Sequence, residues 1–177
     1  MKIKLNNVRL SFPSLFQRAS FQGETGKFEA TFLLNKADQD VLIASIKGSI
    51  KECIKVNGKG AKIPADKICF KDGDDFDYDG YLDHMSFKAS NNKLPKLLDR
   101  DLSAITEDDG RFYAGCYVNA MVELWFQNNN YGKRVNANLL GVQFFKDGKP
   151  FGDGVTASAS DFDAFGEIED DGYDFME

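Results

Sequence analysis

The stretch Arg111-Phe112-Tyr113-Ala114-Gly115-Cys116-Tyr117-Val118-Asn119-Ala120-Met121-Val122-Glu123-Leu124-Trp125-Phe126-Gln127 decides the fold. Every even position from Phe112 to Phe126 is apolar, whereas the odd positions are mixed polar and aromatic and include Tyr113, Tyr117 and Trp125. Side chains alternate faces along a strand, so one side of this segment is a continuous apolar surface. A strand this long with an unbroken inner face implies that it curves around a core, as in a small barrel.

Outward from this segment, Gln127 to Gly132 makes a turn and Arg134 to Lys146 returns as a strand. Asp147-Gly148 is a hairpin signal leading to Lys149-Pro150-Phe151. Toward the N-terminus, Ile3 to Phe12 reads as a strand whose apolar face switches from odd to even positions at Asn6-Asn7, the mark of a β-bulge. Lys27 to Leu34 alternates with Phe28, Ala30, Phe32 and Leu34 facing in. Asn35 reads as a helix N-cap with Asp38 and Asp40 in the first turn. Leu42, Ile46, Ile50 and Ile54 then form the buried helix face, Lys47, Lys51 and Lys55 a solvated stripe beside it, and Gly58 the end. Ile68 to Lys71 and Gly80 to Ser90 are further strands, separated by the acidic loop Asp72 to Asp79.

Together these predict a mainly β chain: an OB-type five-stranded barrel with one helix after an early strand and long loops. Met1 to Ala157 forms this domain, and Ser158 to Glu177 a disordered acidic tail. An open β-sandwich or a different α+β sheet fits the same periodicities, because periodicity does not give strand order.

Charge is divided along the same boundary. The chain has 22 basic and 28 acidic residues, and eight of the acids lie in the tail, which has no Lys or Arg. The body is therefore mildly basic, with 22 basic residues against 20 acidic. Phe162, Phe165, Tyr173 and Phe175 are spaced among Asp161, Asp163, Glu167, Glu169, Asp170, Asp171 and Asp174. A tethered polyanion carrying flat apolar groups can stand in for a nucleic-acid strand; a solubilising end is the alternative, although a purely solvating tail has no need of aromatics.

Cys53, Cys69 and Cys116 include no CxxC pair, which argues against a zinc ribbon or redox motif and for reduced thiols. His84 is the single histidine, so multi-histidine metal sites are excluded. No phosphate-binding glycine loop, dinucleotide fingerprint or metalloprotease motif occurs, and neither enzyme activity nor a cofactor is expected. No apolar run reaches membrane-span length and Met1-Lys2-Ile3-Lys4 opens a charged, alternating stretch, so a cytoplasmic protein is expected.

The positive chemical signal is aromatic and cationic. Tyr113, Tyr117 and Trp125 share the outer strand face, Tyr131, Lys133 and Arg134 lie at the adjoining turn, and Lys88, Lys93 and Lys96 flank the preceding strand. Single-stranded nucleic acid needs rings for its base faces and cations for its phosphates, and these nine residues are the expected DNA contacts. The structural reading, that individual rings pack under loops, stays open. The run Asp75-Phe76-Asp77-Tyr78-Asp79-Gly80 matches the start of an EF-hand loop, but Ser86 stands where a bidentate Glu is required. An Asp72 to Asp83 metal cluster for phosphodiester cleavage is therefore the minor alternative, and strand annealing the other.

The chain resembles the bacteriophage single-stranded-DNA-binding proteins with an OB fold and an acidic, aromatic-containing C-terminal tail. The resemblance is carried by Val8-Arg9-Leu10-Ser11-Phe12, Asp72-Gly73-Asp74, Lys88-Ala89-Ser90 with Leu94-Pro95-Lys96, Tyr113 to Ala120, Gly141-Val142-Gln143 and the tail. It implies a protein that coats single-stranded DNA with little sequence preference in phage replication or recombination. It also implies a tail, here Asp161 to Glu177, that competes with DNA and recruits a polymerase, helicase or primase. Phe175 is followed by Met176 and Glu177, a departure from a strictly terminal aromatic.

Overall fold

Alternating burial along two long strands organises the structure, a computed structural model that describes residues 1–152 and 159–166. In chain order the elements are β1 (Lys2–Ser14), β2 (Ser20–Phe21), β3 (Glu24–Thr25), β4 (Phe28–Asn35), α1 (Asp40–Asn57), β5 (Phe70–Asp72), β6 (His84–Asn91), β7 (Lys96–Leu98), β8 (Tyr117–Asn129) and β9 (Gly132–Lys146). β1 pairs antiparallel with both β4 and β8, β4 with β6, and β8 with β9. A parallel bridge between Ser90 of β6 and Asn138 of β9 joins the remaining edges. The result is a closed five-stranded barrel with one helix, the OB architecture, with β5 and β7 as short additions.

The inner faces meet as the alternation requires. Val118, Ala120, Val122 and Leu124 of β8 are buried with Phe32 of β4 and Phe87 of β6, both fully enclosed. The bulge expected at Asn6-Asn7 is present: the β1–β8 register shifts between Leu5 and Val8, and Asn7 has a φ of 52°. Ile43, Ile46, Ile50 and Cys53 are the buried residues of α1, with Leu42 and Ile54 packed at the margins of the core.

Several local expectations differ. β8 begins at Tyr117 rather than Arg111, because Gly115 adopts a φ of 111° and its N–H donates to the Leu10 carbonyl at 2.8 Å, turning the chain. Asp147-Gly148 does not make a hairpin. The segment folds back so that Pro150 and the Lys149 carbonyl press on Gly115, and Gly148 lies against the Tyr117 ring. Asn35 does not cap α1; its side-chain oxygen accepts from the Ala37 and Asp38 amides in a local turn, and Gln39 holds the cap position. The β2–β3 hairpin and β7 fall inside stretches read as loops, since two- and three-residue strands leave no periodic trace.

In the tail, Ala159–Asp161 forms one 3-10 turn and the rings of Phe162 and Phe165 are exposed. Ser158, Glu167, Glu169, Asp170, Asp171, Tyr173, Asp174, Phe175 and Glu177 lie outside the described residues. Among the described residues, no helix is long and apolar enough to cross a membrane.

Candidate nucleic-acid interface

The outer wall of the barrel carries one large groove, about 950 Å³ in volume. Its floor forms where β6 and β9 diverge beyond their single bridge. Ile68 and Cys69 fill the gap, the Cys69 N–H donating to Val135 and the Lys88 N–H donating to Cys69. β8 contributes Trp125 and Gln127, and β9 contributes Arg134 and Asn136, with Trp125 directly opposite Asn136 in the ladder. The Asn136 amide donates to Gln127 at 2.7 Å, which fixes both side chains on the outer face.

An aromatic wall faces this floor. Phe12 ends the regular part of β1 in a left-handed conformation (φ 45°) that turns its ring outward, 56% exposed. Few residues other than Gly and Asn adopt that region, so the surroundings must hold Phe12 there. Its ring meets Tyr78 edge-on at 4.9 Å, and Tyr78 in turn stacks on Phe76 at 5.8 Å. Beneath them Tyr81 is buried and shares a 2.9 Å hydrogen bond with the Ser11 hydroxyl; burial pushes its phenol pKa up. Phe21, at the tip of the β2–β3 hairpin, extends the wall and is 76% exposed.

The loop that presents Phe76 and Tyr78 is the acidic one, and its carboxylates Asp72 and Asp74 are engaged. Lys36 bonds Asp72 at 2.7 Å and Asp74 at 2.8 Å. Asp72 also accepts from the Asp74 amide, and Asp74 from the Asp83 amide. The Lys36 hydrogen bonds, followed by those amides, hold both carboxyls below the usual aspartate range. Among the described residues no group of acids, His or Cys is arranged to hold a metal ion. Through Asp72 and Asp74, Lys36 ties down the loop that carries Phe76 and Tyr78.

Five cations line the groove: Lys27, Lys67, Lys71, Lys88 and Arg134, against the acids Glu29 and Asp66. Of the nine residues expected from sequence, the structure brings Lys88, Trp125 and Arg134 together here. Tyr131, 83% exposed, and Lys133 extend from the tip of the β8–β9 turn just beyond Arg134. Lys93 and Lys96 follow β6 but do not line the groove, and Lys96 instead starts β7 against Gly141.

Tyr113 and Tyr117 are at the other end of the barrel wall. The Tyr113 hydroxyl donates to Asp147 at 2.8 Å and also bonds Gly148, and burial raises its pKa. The Tyr117 ring is engaged by the Lys146 ammonium at 4.8 Å and the Arg9 guanidinium at 5.5 Å. Arg9 further covers the Phe151 ring at 4.2 Å. Phe151 nests against Gly80, and the Gly152 amide donates to Asp79 at 3.3 Å. The chain thus leaves the barrel beside the loop that carries Phe76 and Tyr78.

The chain as a whole has known relatives. The family described as Enterobacter phage Enc34, ssDNA-binding protein, matches residues 1–174. The chain belongs to that family. Protein p50 of Acyrthosiphon pisum secondary endosymbiont phage 1 is 43% identical over 182 residues, covering 97% of each chain. The single-stranded DNA-binding protein of bacteriophage Enc34, solved in complex with ssDNA, is 30% identical with a TM-score of 0.78, over 85% of this chain and 89% of that one. A C-terminal truncation of the Enc34 protein is 33% identical with a TM-score of 0.76, over 85% and 88%. The Enc34 family is one of binding proteins rather than enzymes, which agrees with the absence of catalytic motifs from this sequence.

Cys69 gives a probe of the groove. Burial pushes its thiol up to about 12, so almost no thiolate is present near neutral pH. Alkylation of Cys69 at mildly alkaline pH is expected to run at least about tenfold slower than that of an unfolded-chain cysteine. Peptide mapping after reaction checks this, and a fast Cys69 would place the side chain in open solvent.

Proposed function

We propose that this chain coats single-stranded DNA with little sequence preference, taking the strand through the groove between Trp125 and the Phe12–Tyr78 wall. The observation that carries this reading is the juxtaposition of exposed rings with five cations in one groove. Flat rings at both sides accept base faces, and Lys and Arg accept phosphates without reading sequence. The ssDNA complex of the Enc34 protein supports the same ligand here. Phage DNA replication or recombination in the host cytoplasm is the setting this function fits.

The acidic tail completes the proposal. The Gly152 amide bonds Asp79 beside the loop that carries the aromatic wall, and we infer that the eight carboxylates and four rings of the tail act on the groove from that attachment. Such tethering corresponds to a millimolar local concentration. We assign the tail, Asp161 to Glu177, a competitive role toward DNA and a recruiting role toward polymerase, helicase or primase.

Salt titration of binding to single-stranded and duplex oligonucleotides, with and without the tail, tests both parts. Five phosphate contacts at ~0.7 each give an expected slope of log affinity against log salt of about −3.5 for single strands. Removing Ser158 to Glu177 is expected to strengthen binding about tenfold at low salt, with the gain shrinking as screening grows. A slope near zero removes the groove from the reading. An unchanged low-salt affinity removes the tail.

A further inference from the structure

The groove contains a residue that does not suit a phosphate track. We propose that Glu29 reads the strand, favouring nucleobases that carry an exocyclic amino group. This rests on the assignment of the groove to single-stranded DNA and deepens it.

Glu29 lies on β4 opposite Ser90 of β6, and Thr31, the next residue on the same face, lies opposite Lys88. Glu29, Thr31, Lys88 and Ser90 all line the groove. One Glu29 carboxylate oxygen is 3.8 Å from the Lys88 ammonium, a loose pair in which the Lys88 side chain remains 63% exposed and that of Glu29 30%. The Lys88 side chain is therefore free to turn toward a phosphate. Asp66, the other acid lining the groove among the described residues, lies exposed on the turn beside Lys67, off the barrel strands.

An ionised carboxylate only accepts hydrogen bonds, and so does a phosphate. The DNA backbone therefore offers Glu29 nothing but repulsion. Base edges do offer donors: cytosine through N4, adenine through N6 and guanine through N2. Thymine and uracil present one N–H between two carbonyl oxygens, and those oxygens face the carboxylate unfavourably. A base whose amino group reaches Glu29 offsets the charge that would otherwise oppose the strand. The neighbouring Thr31, Ser86 and Ser90 both donate and accept, and so discriminate little.

Homopolymers of deoxycytidine and deoxyuridine test this, since the two bases differ only at C4 and N3. With oligonucleotides of equal length above neutral pH, the full chain is expected to bind the cytidine polymer about three- to tenfold more tightly. Glu29→Gln keeps the side-chain shape, removes the charge and lets the amide donate as well as accept. It is expected to bring the ratio close to unity, chiefly by strengthening the deoxyuridine complex. A ratio that survives unchanged in Glu29→Gln, or equal affinities in the parent chain, overturns the proposal. Loss of binding to both polymers, with no quenching of Trp125 fluorescence in either chain, points instead to failure of the groove assignment.

Discussion

Trp125→Ala is expected to weaken single-strand binding by roughly 5- to 150-fold, the range set by ~1–3 kcal/mol for one base stack. The ring sits half-buried on the outer face of β8, above Asn136 and beside Arg134, and is the only tryptophan in the chain. Its fluorescence therefore reports the groove without interference, and saturating DNA is expected to quench it. Trp125→Phe keeps a smaller stacking surface and should recover part of the affinity. Stability should change little, because the inward neighbours Leu124 and Val122 carry the packing of that strand. Tyr117→Ala provides the contrast. Its ring is engaged by Lys146 and Arg9, so the substitution should lower stability and leave DNA affinity near the parent value. Equal losses of affinity in the two variants would place the strand along β8 rather than in the groove.

Gly115→Ala is expected to be the most damaging single methyl. At a φ of 111° an L side chain is strained, and its Cβ would press on the Lys149 carbonyl oxygen and come within 2.9 Å of the Pro150 Cα. Both are backbone atoms, and Phe151, hydrogen-bonded to Ala114, holds them in place. Conformational strain and overpacking each cost about 1–3 kcal/mol, so a loss of about 3 kcal/mol is expected, or roughly 6–12 °C in Tm. Gly60→Ala is the control: its φ is 75° but its Cβ would meet nothing within 4 Å. It should cost only the conformational part, about 1 kcal/mol. Similar melting points for the two variants would show that the segment after β9 yields easily.

The barrel was legible because its information is local. The apolar parity from Cys116 to Leu124 fixes an inner face, and the change of parity at Asn6-Asn7 marks a bulge that the Asn7 backbone realises. The groove was only partly legible. Tyr113, Tyr117 and Trp125 share a parity, yet parity assigns a face and not a position around a closed wall. Only Trp125 reaches the groove, while the two tyrosines are occupied by Asp147, Gly148, Lys146 and Arg9. Phe12, Phe21, Lys27, Lys67, Lys71 and Tyr78 were missed because closure of the barrel brings them together across long stretches of chain. One signal was present: Phe76 and Tyr78 alternate with acids in a loop, where a ring has no core to enter.

Closure of the barrel also dictates an order of assembly. β1 joins β4 near at hand, Arg9 opposite Leu33, but its other edge waits for β8, with Lys2 opposite Glu123. During synthesis the β5–β6–β4–β1 sheet and α1 can come together first, leaving bare the free edge of β1 and the end of β6 beyond β5. The β8–β9 hairpin then supplies both missing edges at once, β8 to β1 and β9 to β6. Pairings this distant place folding in the slow, high-contact-order regime of milliseconds to seconds. The hairpin acts as a keystone. A nascent chain that stalls before Tyr117 leaves the β1 edge and the end of β6 open, a state exposed to aggregation.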